Sequence, residues 1–279
     1  MRSEPHVAVG GVAAHSALRG TARLRRLPVV VREVTLIAVA ALLYSLVRGL
    51  TSDRVASAFD NADRVISFER SLGIFVEPEL QQAVIGHDAV IGAANIVYIA
   101  FWPIIVLTLV WLILRHPAAY PRFRNAVLAS GALSLVIFAL YPLAPPRFLP
   151  DHGFVDTIAS GATTYRSMNS PALVNEFAAM PSLHFGWILL VAIAWVAVVR
   201  HWTVRVVAVA LPFLILASIV LTANHFVVDA IVGGVVILVG LAIATAIERR
   251  TAPLRMAQTR AGRGLEAAPE REAVLTARE

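Results

Sequence analysis

The sequence has no cysteine, no lysine and few charged residues. The absence of cysteine among its 279 residues excludes disulfides, thiolate nucleophiles and cysteine-ligated metal sites. Every basic residue is an arginine, so a lysine Schiff base is excluded as well. Only 15% of the residues are charged, 58% are hydrophobic, and the mean hydropathy is +0.73. This balance excludes an ordinary water-soluble domain and predicts an all-α integral membrane protein.

Six apolar runs are each long enough to cross a bilayer as a helix. They cover about 29–50, 89–114, 126–144, 181–200, 203–222 and 225–247. We therefore predict a bundle of six transmembrane helices over 29–247, between an arginine-rich tail, 1–28, and a disordered tail, 248–279. The segment 51–80 mixes charged and apolar residues at near-helical spacing, which predicts an amphipathic helix on the membrane surface.

The distribution of arginine predicts the orientation of this bundle. Most of the 24 basic residues fall in the two tails and in the loops around 115–124 and 200–205. The alternate loops hold only Arg54, Arg64, Arg70, Arg147 and Arg166. Because positive charge is retained on the cytoplasmic side, both termini should be cytoplasmic. The arginines that set this topology also explain the high pI, so we expect no nucleic-acid partner.

A histidine and an aspartate open the last predicted span, in "NHFVVDAIVGG". His225 and Asp229 are four residues apart, so a helix would place them on one face. Placing a carboxylate inside a membrane span costs free energy, so we expect it to have a partner or a functional role. Asp229 could simply pack against His225, or it could orient the imidazole of His225 as a nucleophile. The pair alone leaves both interpretations open.

The fourth predicted span opens with "MPSLHFGW", on the same predicted outer side. Pro181 suits a helix start, Ser182 could cap the helix, and His184 lies in the first turn. Plain capping explains the pattern. Alternatively, the free amides of this turn could bind an anion, while His184 donates a proton to a leaving oxygen. Gly233, Gly234 and Gly186 predict close packing that would bring the two histidines together.

An arginine lies at the outer end of the third predicted span, in "YPLAPPRFLP". Arg147 could be an interfacial residue, or its guanidinium could hold two phosphate oxygens. Three distant segments thus place an arginine, a histidine and a histidine–aspartate pair on one face. This set suits phosphoryl chemistry without a metal, so no cofactor and no metal are predicted.

These segments resemble the motifs of the type 2 phosphatidic acid phosphatase superfamily. "PPRFLP", "PSLH" and "HFVVD" lie within residues 145–229. The resemblance implies His225 as the nucleophile that forms a phosphohistidine and Asp229 as its orienting carboxylate. It also implies His184 as the general acid, with Arg147 and Ser182 as phosphate ligands.

The sequence departs from the family pattern at three positions. The lysine of the first motif would fall at Leu140, the arginine of the third motif at Ile219, and the glycine of "PSGH" at Leu183. "PSLH" and a third motif without arginine are more similar to the branch that contains the inositol phosphorylceramide synthases. The stretches "ERSLGIFVEPELQ" and "NIVYIAF" also look similar to bacterial members of that branch.

Further polar residues lie near these motifs. The long loop 145–180 could form an outer lid, and its Arg166 could supply a missing cation. Asn224, beside His225, could cap the helix or contact phosphate. Asn95 and Tyr98, at i, i+3 spacing, could contact a head group or another helix.

The sequence therefore predicts a metal-independent lipid phosphotransferase in a bacterial plasma membrane, with its site facing outside. The expected partners are a phospholipid donor, such as one that carries inositol phosphate, and a lipid alcohol or water as acceptor. A phosphatidate or polyprenyl diphosphate phosphatase is one alternative. A transporter or scaffold without catalytic activity is another.

Overall fold

A computed structural model describes residues 54–157 and the backbone of 176–276, with side chains up to position 251. It also describes scattered helical positions between 31 and 46. The chain divides into two units, Met1–Leu46 and Val47–Glu279, and the continuous described ranges lie in the second unit. The remaining positions of the predicted first span at 29–50, and the loop 158–175 with Arg166 and most of the predicted lid, lie outside the described residues.

The second unit is all-helical throughout its described part. Its helices are α1 (Val55–Leu72), α2 (Glu77–Gln82), α3 (Asp88–Arg115), α4 (Tyr120–Leu140), α5 (Leu183–Val198), α6 (Trp202–Leu221) and α7 (Val227–Thr276). Two short 3₁₀ turns, Pro146–Phe148 and Pro150–His152, follow α4. Within the described ranges there is no β-strand, and the predicted fold class is confirmed at this level.

Among the described residues, four helices are long and apolar enough to cross a membrane. They are α3, α4, α6 and the first part of α7, Val227–Thr251. The fourth predicted span, 181–200, corresponds to α5, which has only 16 residues. At 1.5 Å per residue it is about 24 Å long, shorter than a hydrocarbon core of roughly 30 Å. Four of the six predicted spans therefore meet the length criterion, and together they fit an integral membrane protein.

The predicted amphipathic helix over 51–80 is divided into α1 and α2. Gly73 ends α1 in the left-handed conformation, with φ of 67°, which glycine adopts without steric cost. One face of α1 packs on a small core that also contains Leu143, Phe154 and Phe226. This packing buries Glu69, which the sequence pattern had assigned to the surface.

The last helix extends beyond the predicted span. The segment 248–279 was expected to be disordered, but α7 runs to Thr276. Alanine, arginine and glutamate, which favour helix, are frequent in this segment. Arg122 on α4 binds Glu248 on α7 with an N–O distance of 2.6 Å, which joins the two helices at the end remote from the motif residues.

Glycines allow α5 and α7 to approach closely. A Cβ atom added at Gly233 would lie 2.3 Å from the carbonyl oxygen of Ser182. A Cβ atom at Gly186 would lie 2.9 Å from the carbonyl oxygen of Gly233. Both distances are shorter than atoms can tolerate, so this contact requires glycine at both positions. The predicted close packing is confirmed, and it brings the starts of α5 and α7 together.

Candidate active site

His225 lies in the turn between α6 and α7, and it is buried. Because α7 begins at Val227, His225 precedes the helix and was wrongly predicted to lie on it, but its predicted pairing with Asp229 is present. The nearest acceptor for the His225 ring is instead the carbonyl oxygen of Ala179, 2.8 Å from Nδ1. Asp229 Oδ2 lies 3.4 Å from the same nitrogen. No residue pattern could indicate the Ala179 carbonyl, since a backbone acceptor can come from any residue type.

These contacts determine which nitrogen of His225 carries a proton. A carbonyl oxygen can only accept, so Nδ1 of His225 must donate to Ala179. In the neutral ring, Nε2 then holds a lone pair. That atom lies 3.2 Å from Nδ1 of His184, which must donate to it. The geometry thus leaves His225 Nε2 as a potential nucleophile and places a transferable proton on His184 beside it.

The two histidine rings are adjacent, with their centroids 5.3 Å apart. The expected approach of His184 and His225 is therefore confirmed, while their catalytic roles remain predictions. His184 also contacts two aromatic side chains of α3. Its ring stacks on Tyr98 at 4.2 Å between centroids and contacts Phe101 at 3.9 Å. Tyr98 was predicted to contact a head group or another helix, and its ring makes a contact between helices, with the motif histidine of α5.

Ser182 acts as the N-cap of α5. Its side chain is fully buried and accepts a hydrogen bond from the amide of Phe185 at 3.4 Å. Its own amide donates to the carbonyl oxygen of Asp229 at 2.9 Å. That amide is consequently unavailable to an anion, which reduces the predicted site to the amides of Leu183 and His184 in the first turn. The predicted phosphate contact of Ser182 stays untested.

Arg147 and Asn224 meet next to the histidines. Arg147 donates from its guanidinium to the side-chain oxygen of Asn224, the residue before His225. The backbone amide of Arg147 also donates to the carbonyl oxygen of Ala223 at 2.8 Å. Asn224 in turn donates to the hydroxyl of Thr222 at 2.7 Å. Asn224 therefore orients the arginine, a role that differs from both predicted alternatives, a helix cap and a phosphate contact.

Asn95, the other polar residue predicted on α3, is buried one turn before Tyr98, and its side-chain oxygen has no hydrogen-bond partner.

The three positions that depart from the motifs hold apolar residues in different surroundings. Ile219 is part of the core of the bundle, whereas Leu140 is 73% exposed at the end of α4. Leu183 is the first residue of α5. Over the described residues, His, Asp and Glu side chains form no group arranged to hold a metal ion.

Two glutamates that the sequence analysis did not select contact the start of α7. Glu77 accepts a hydrogen bond from the amide of Val227, and Glu69 accepts one from the amide of Val228, both at 2.8 Å. Both side chains have no solvent exposure. The glutamates lie in "ERSLGIFVEPELQ", but their charge suggested a solvated helix face. Only the tertiary fold shows that they reach the helix that follows His225.

Comparison with known families agrees with this arrangement. A sequence model described as the PAP2 superfamily matches residues 63–243. The chain belongs to the PAP2 superfamily. The matched range contains the two histidines, Arg147, Asp229 and both glutamates, and the members of this superfamily generally catalyse phosphoryl transfer or hydrolysis. No curated protein and no solved structure gave a significant match.

Proposed function

We propose that this protein is a membrane lipid phosphotransferase that works through a phosphohistidine at His225. It would take a phosphoryl-bearing head group, such as inositol phosphate, from a phospholipid and pass it to a lipid alcohol. The observation that carries this proposal is the pairing of a lone pair on His225 Nε2 with a proton on His184 Nδ1. A nucleophile and a proton donor at that spacing can both reach one phosphorus centre.

The reaction would proceed in two steps. In the first, the phosphate replaces the contact between the rings, and His225 Nε2 forms a bond to phosphorus as the bond to the leaving oxygen breaks. His184 enters this step as an imidazolium, and the leaving oxygen takes the proton of its Nδ1, which leaves His184 neutral. In the second, the acceptor hydroxyl gives its proton to His184 and attacks phosphorus, which breaks the P–N bond. Ala179 and Asp229 stabilise the positive charge on the His225 ring throughout.

Arg147 would neutralise the phosphate oxygens. Its guanidinium is held beside His225 by Asn224 and retains further N–H donors for a substrate. The amides of the first turn of α5 add donors in the same region. Arg166, outside the described residues, stays a further predicted cation. Because the motif positions Leu140 and Ile219 carry no cation, Arg147 would supply most of the positive charge around the phosphate.

The surroundings of His184 favour a lipid alcohol over water as the acceptor. Tyr98 and Phe101 cover the ring of His184, and His225 is only 5% exposed. An apolar, enclosed site admits water poorly, which protects a covalent intermediate from hydrolysis. The similarity of "PSLH" to the inositol phosphorylceramide synthase-like branch supports the same choice. No metal takes part in this scheme.

The test is an assay of the purified protein in detergent. Phosphatidylinositol labelled in its inositol phosphate is supplied with a lipid extract, with and without a chelator. We expect label in a new lipid, undiminished by the chelator, and none with His225→Ala. The control is His201→Ala, an exposed histidine at the opposite end of the bundle.

Other outcomes would decide against parts of the proposal. Label released to water would make the protein a hydrolase, and phosphatidate and polyprenyl diphosphates would then be the substrates to compare. Activity that survives in His225→Ala would exclude the phosphohistidine. Failure to turn over all three lipid classes would favour the transporter or scaffold.

A further inference from the structure

Three carboxylates surround the first turn of α7, which directly follows His225. Asp229 Oδ2 accepts the amide of Phe226 at 3.0 Å, Glu77 accepts that of Val227, and Glu69 accepts that of Val228. Three consecutive amides that lack acceptors within the helix are thereby satisfied by side chains from three helices. The cap therefore connects α1 and α2 to the turn that holds the proposed nucleophile.

Glu69 and Glu77 each leave one oxygen atom buried without a hydrogen-bond partner. An ionised carboxylate only accepts hydrogen bonds, so two ionised groups could not satisfy each other. One proton between them would give both oxygens a partner, because a protonated carboxyl can donate. Two fully buried carboxylates beside a third also repel each other strongly unless one of them is neutral.

The electrostatics of Glu69 agree with a shared proton. Burial raises the pKa of Glu69 to about 8, the amide of Val228 opposes this rise, and the charges of Glu77 and Asp229 add to it. In the described part of the chain, these two carboxylates from α2 and α7 are the charged groups that act on Glu69. The helix dipole at the start of α7 also stabilises negative charge, but it places only a partial positive charge there, which is smaller than the charge of one carboxylate.

We propose that Glu69 and Glu77 are positioning residues that share one proton and hold the start of α7, and with it His225, in the catalytic geometry. This inference rests on the proposed function. At neutral pH the pair carries one negative charge and the cap is intact. When the proton is lost, three buried charges repel each other, and the turn that holds His225 is displaced from Ala179 and His184.

The sign of the pH dependence follows from the direction of the pKa shift. A carboxyl group whose pKa is raised on folding stabilises the fold most at low pH and loses that contribution as pH rises through its folded value. The turnover number should consequently fall as pH rises through about 8, in a range where ordinary glutamates have long been ionised.

The test compares Glu69→Gln, Glu69→Ala and the exposed control Glu79→Gln on α2. Glutamine keeps an acceptor for Val228 and donates to Glu77 without titrating. We expect Glu69→Gln to retain turnover and to lose the alkaline fall, with KM unchanged. Glu69→Ala leaves a buried amide unsatisfied and should lower kcat roughly tenfold or more. Glu79→Gln should match the wild type in both respects.

Thermal unfolding in detergent across the same pH range separates this inference from the proposed function, because it needs no substrate. The stability of the wild type should fall as pH rises from about 4.5 to about 8 and level off above that, whereas Glu69→Gln should lack this fall. A fall over the same range that persists in Glu69→Gln would overturn the shared proton, whether or not a substrate is found. Activity that a chelator abolishes and a divalent cation restores would also overturn it, since the carboxylates would then bind metal.

Discussion

At the scale of single residues, the assignment of roles to the two histidines depends on one backbone carbonyl. Ala179 accepts from Nδ1 of His225, which directs Nε2 toward His184. The two rings are therefore not equivalent, although both are imidazoles in contact with each other. His225 can attack, and His184 can give a proton. This difference can be measured with leaving groups of different basicity.

The first prediction separates the proton donor from the nucleophile. With a lipid substrate, His184→Asn should lower kcat by roughly 10²–10⁴-fold, the usual contribution of a general acid. With a p-nitrophenyl phosphate ester, whose leaving group needs no proton, the same variant should recover most of its activity. His225→Asn should be inactive on both substrates, and His201→Asn should be unaffected. Equal losses for His184→Asn on the two substrates would contradict the assignment.

The second prediction concerns the coupling of Arg147 and Asn224. Arg147→Lys keeps the charge but loses the planar fork, and Asn224→Ala removes its orienting acceptor. Each change should lower kcat/KM by about 10- to 100-fold, the value of a charged hydrogen bond. A double-mutant cycle should show that the combined loss is smaller than the product of the single losses. Independent effects would mean that Asn224 does not act through Arg147.

Residue identity and spacing were sufficient to select His184, His225, Asp229 and Arg147 as one group. They could not give the Ala179 contact or the burial of Glu69, because both depend on segments distant along the chain. The pattern of α1 also led to a wrong prediction that Glu69 is exposed, since a charged residue on an amphipathic helix usually faces water. Glu69 is an exception because an amide of α7 compensates its burial.

At the scale of elements, the site depends on the contact between α5 and α7. Both helices begin at this contact, so the motif residues of each lie in their first turns or just before them. The apolar runs predicted α3 and α6 to within a few residues, because length and hydropathy define a span. The division of 51–80 and the shortness of α5 were not predicted, since a turn at Gly73 and a cap at Ser182 determine them.

The third prediction tests this helix contact. Gly233→Ala would place a methyl group 2.3 Å from the carbonyl oxygen of Ser182, so the helices must separate. We expect a loss of about 1–3 kcal/mol in the free energy of unfolding, as for other overpacked sites, together with a loss of activity. Gly92→Ala on α3, whose added methyl group meets no atom within 4 Å, is the control. Unchanged melting temperature and activity in Gly233→Ala would contradict the packing described above.

At the scale of the whole molecule, the chain places its motif residues at one end of the bundle and its arginine-rich loops at the other. Arg200 lies in the link from α5 to α6, and Arg115, Arg122 and Arg205 lie in the helix turns that adjoin this link or the link from α3 to α4. The arginine distribution predicts that this end faces the cytoplasm and that the site faces outside. The orientation is a prediction from charge alone, which the fold does not test.

The fourth prediction tests the orientation by thiol labelling. Because the chain has no cysteine, a single one can be introduced without background. Ser71→Cys at the end of α1 and Thr203→Cys at the start of α6 are both at exposed positions. A membrane-impermeant reagent should label Ser71→Cys in intact cells, and Thr203→Cys only after the membrane is opened. The reverse pattern would place the site in the cytoplasm.

The central claim is the covalent intermediate, and trapping it is the most direct test. The wild-type protein is mixed with phosphatidylinositol labelled in its phosphorus, quenched by denaturation at alkaline pH, and digested for mass spectrometry. We predict an inositol phosphate adduct on Nε2 of His225, reduced in amount when an acceptor alcohol is added and absent from His225→Asn. Turnover of the lipid without any adduct, or an adduct that remains in His225→Asn, would contradict the account.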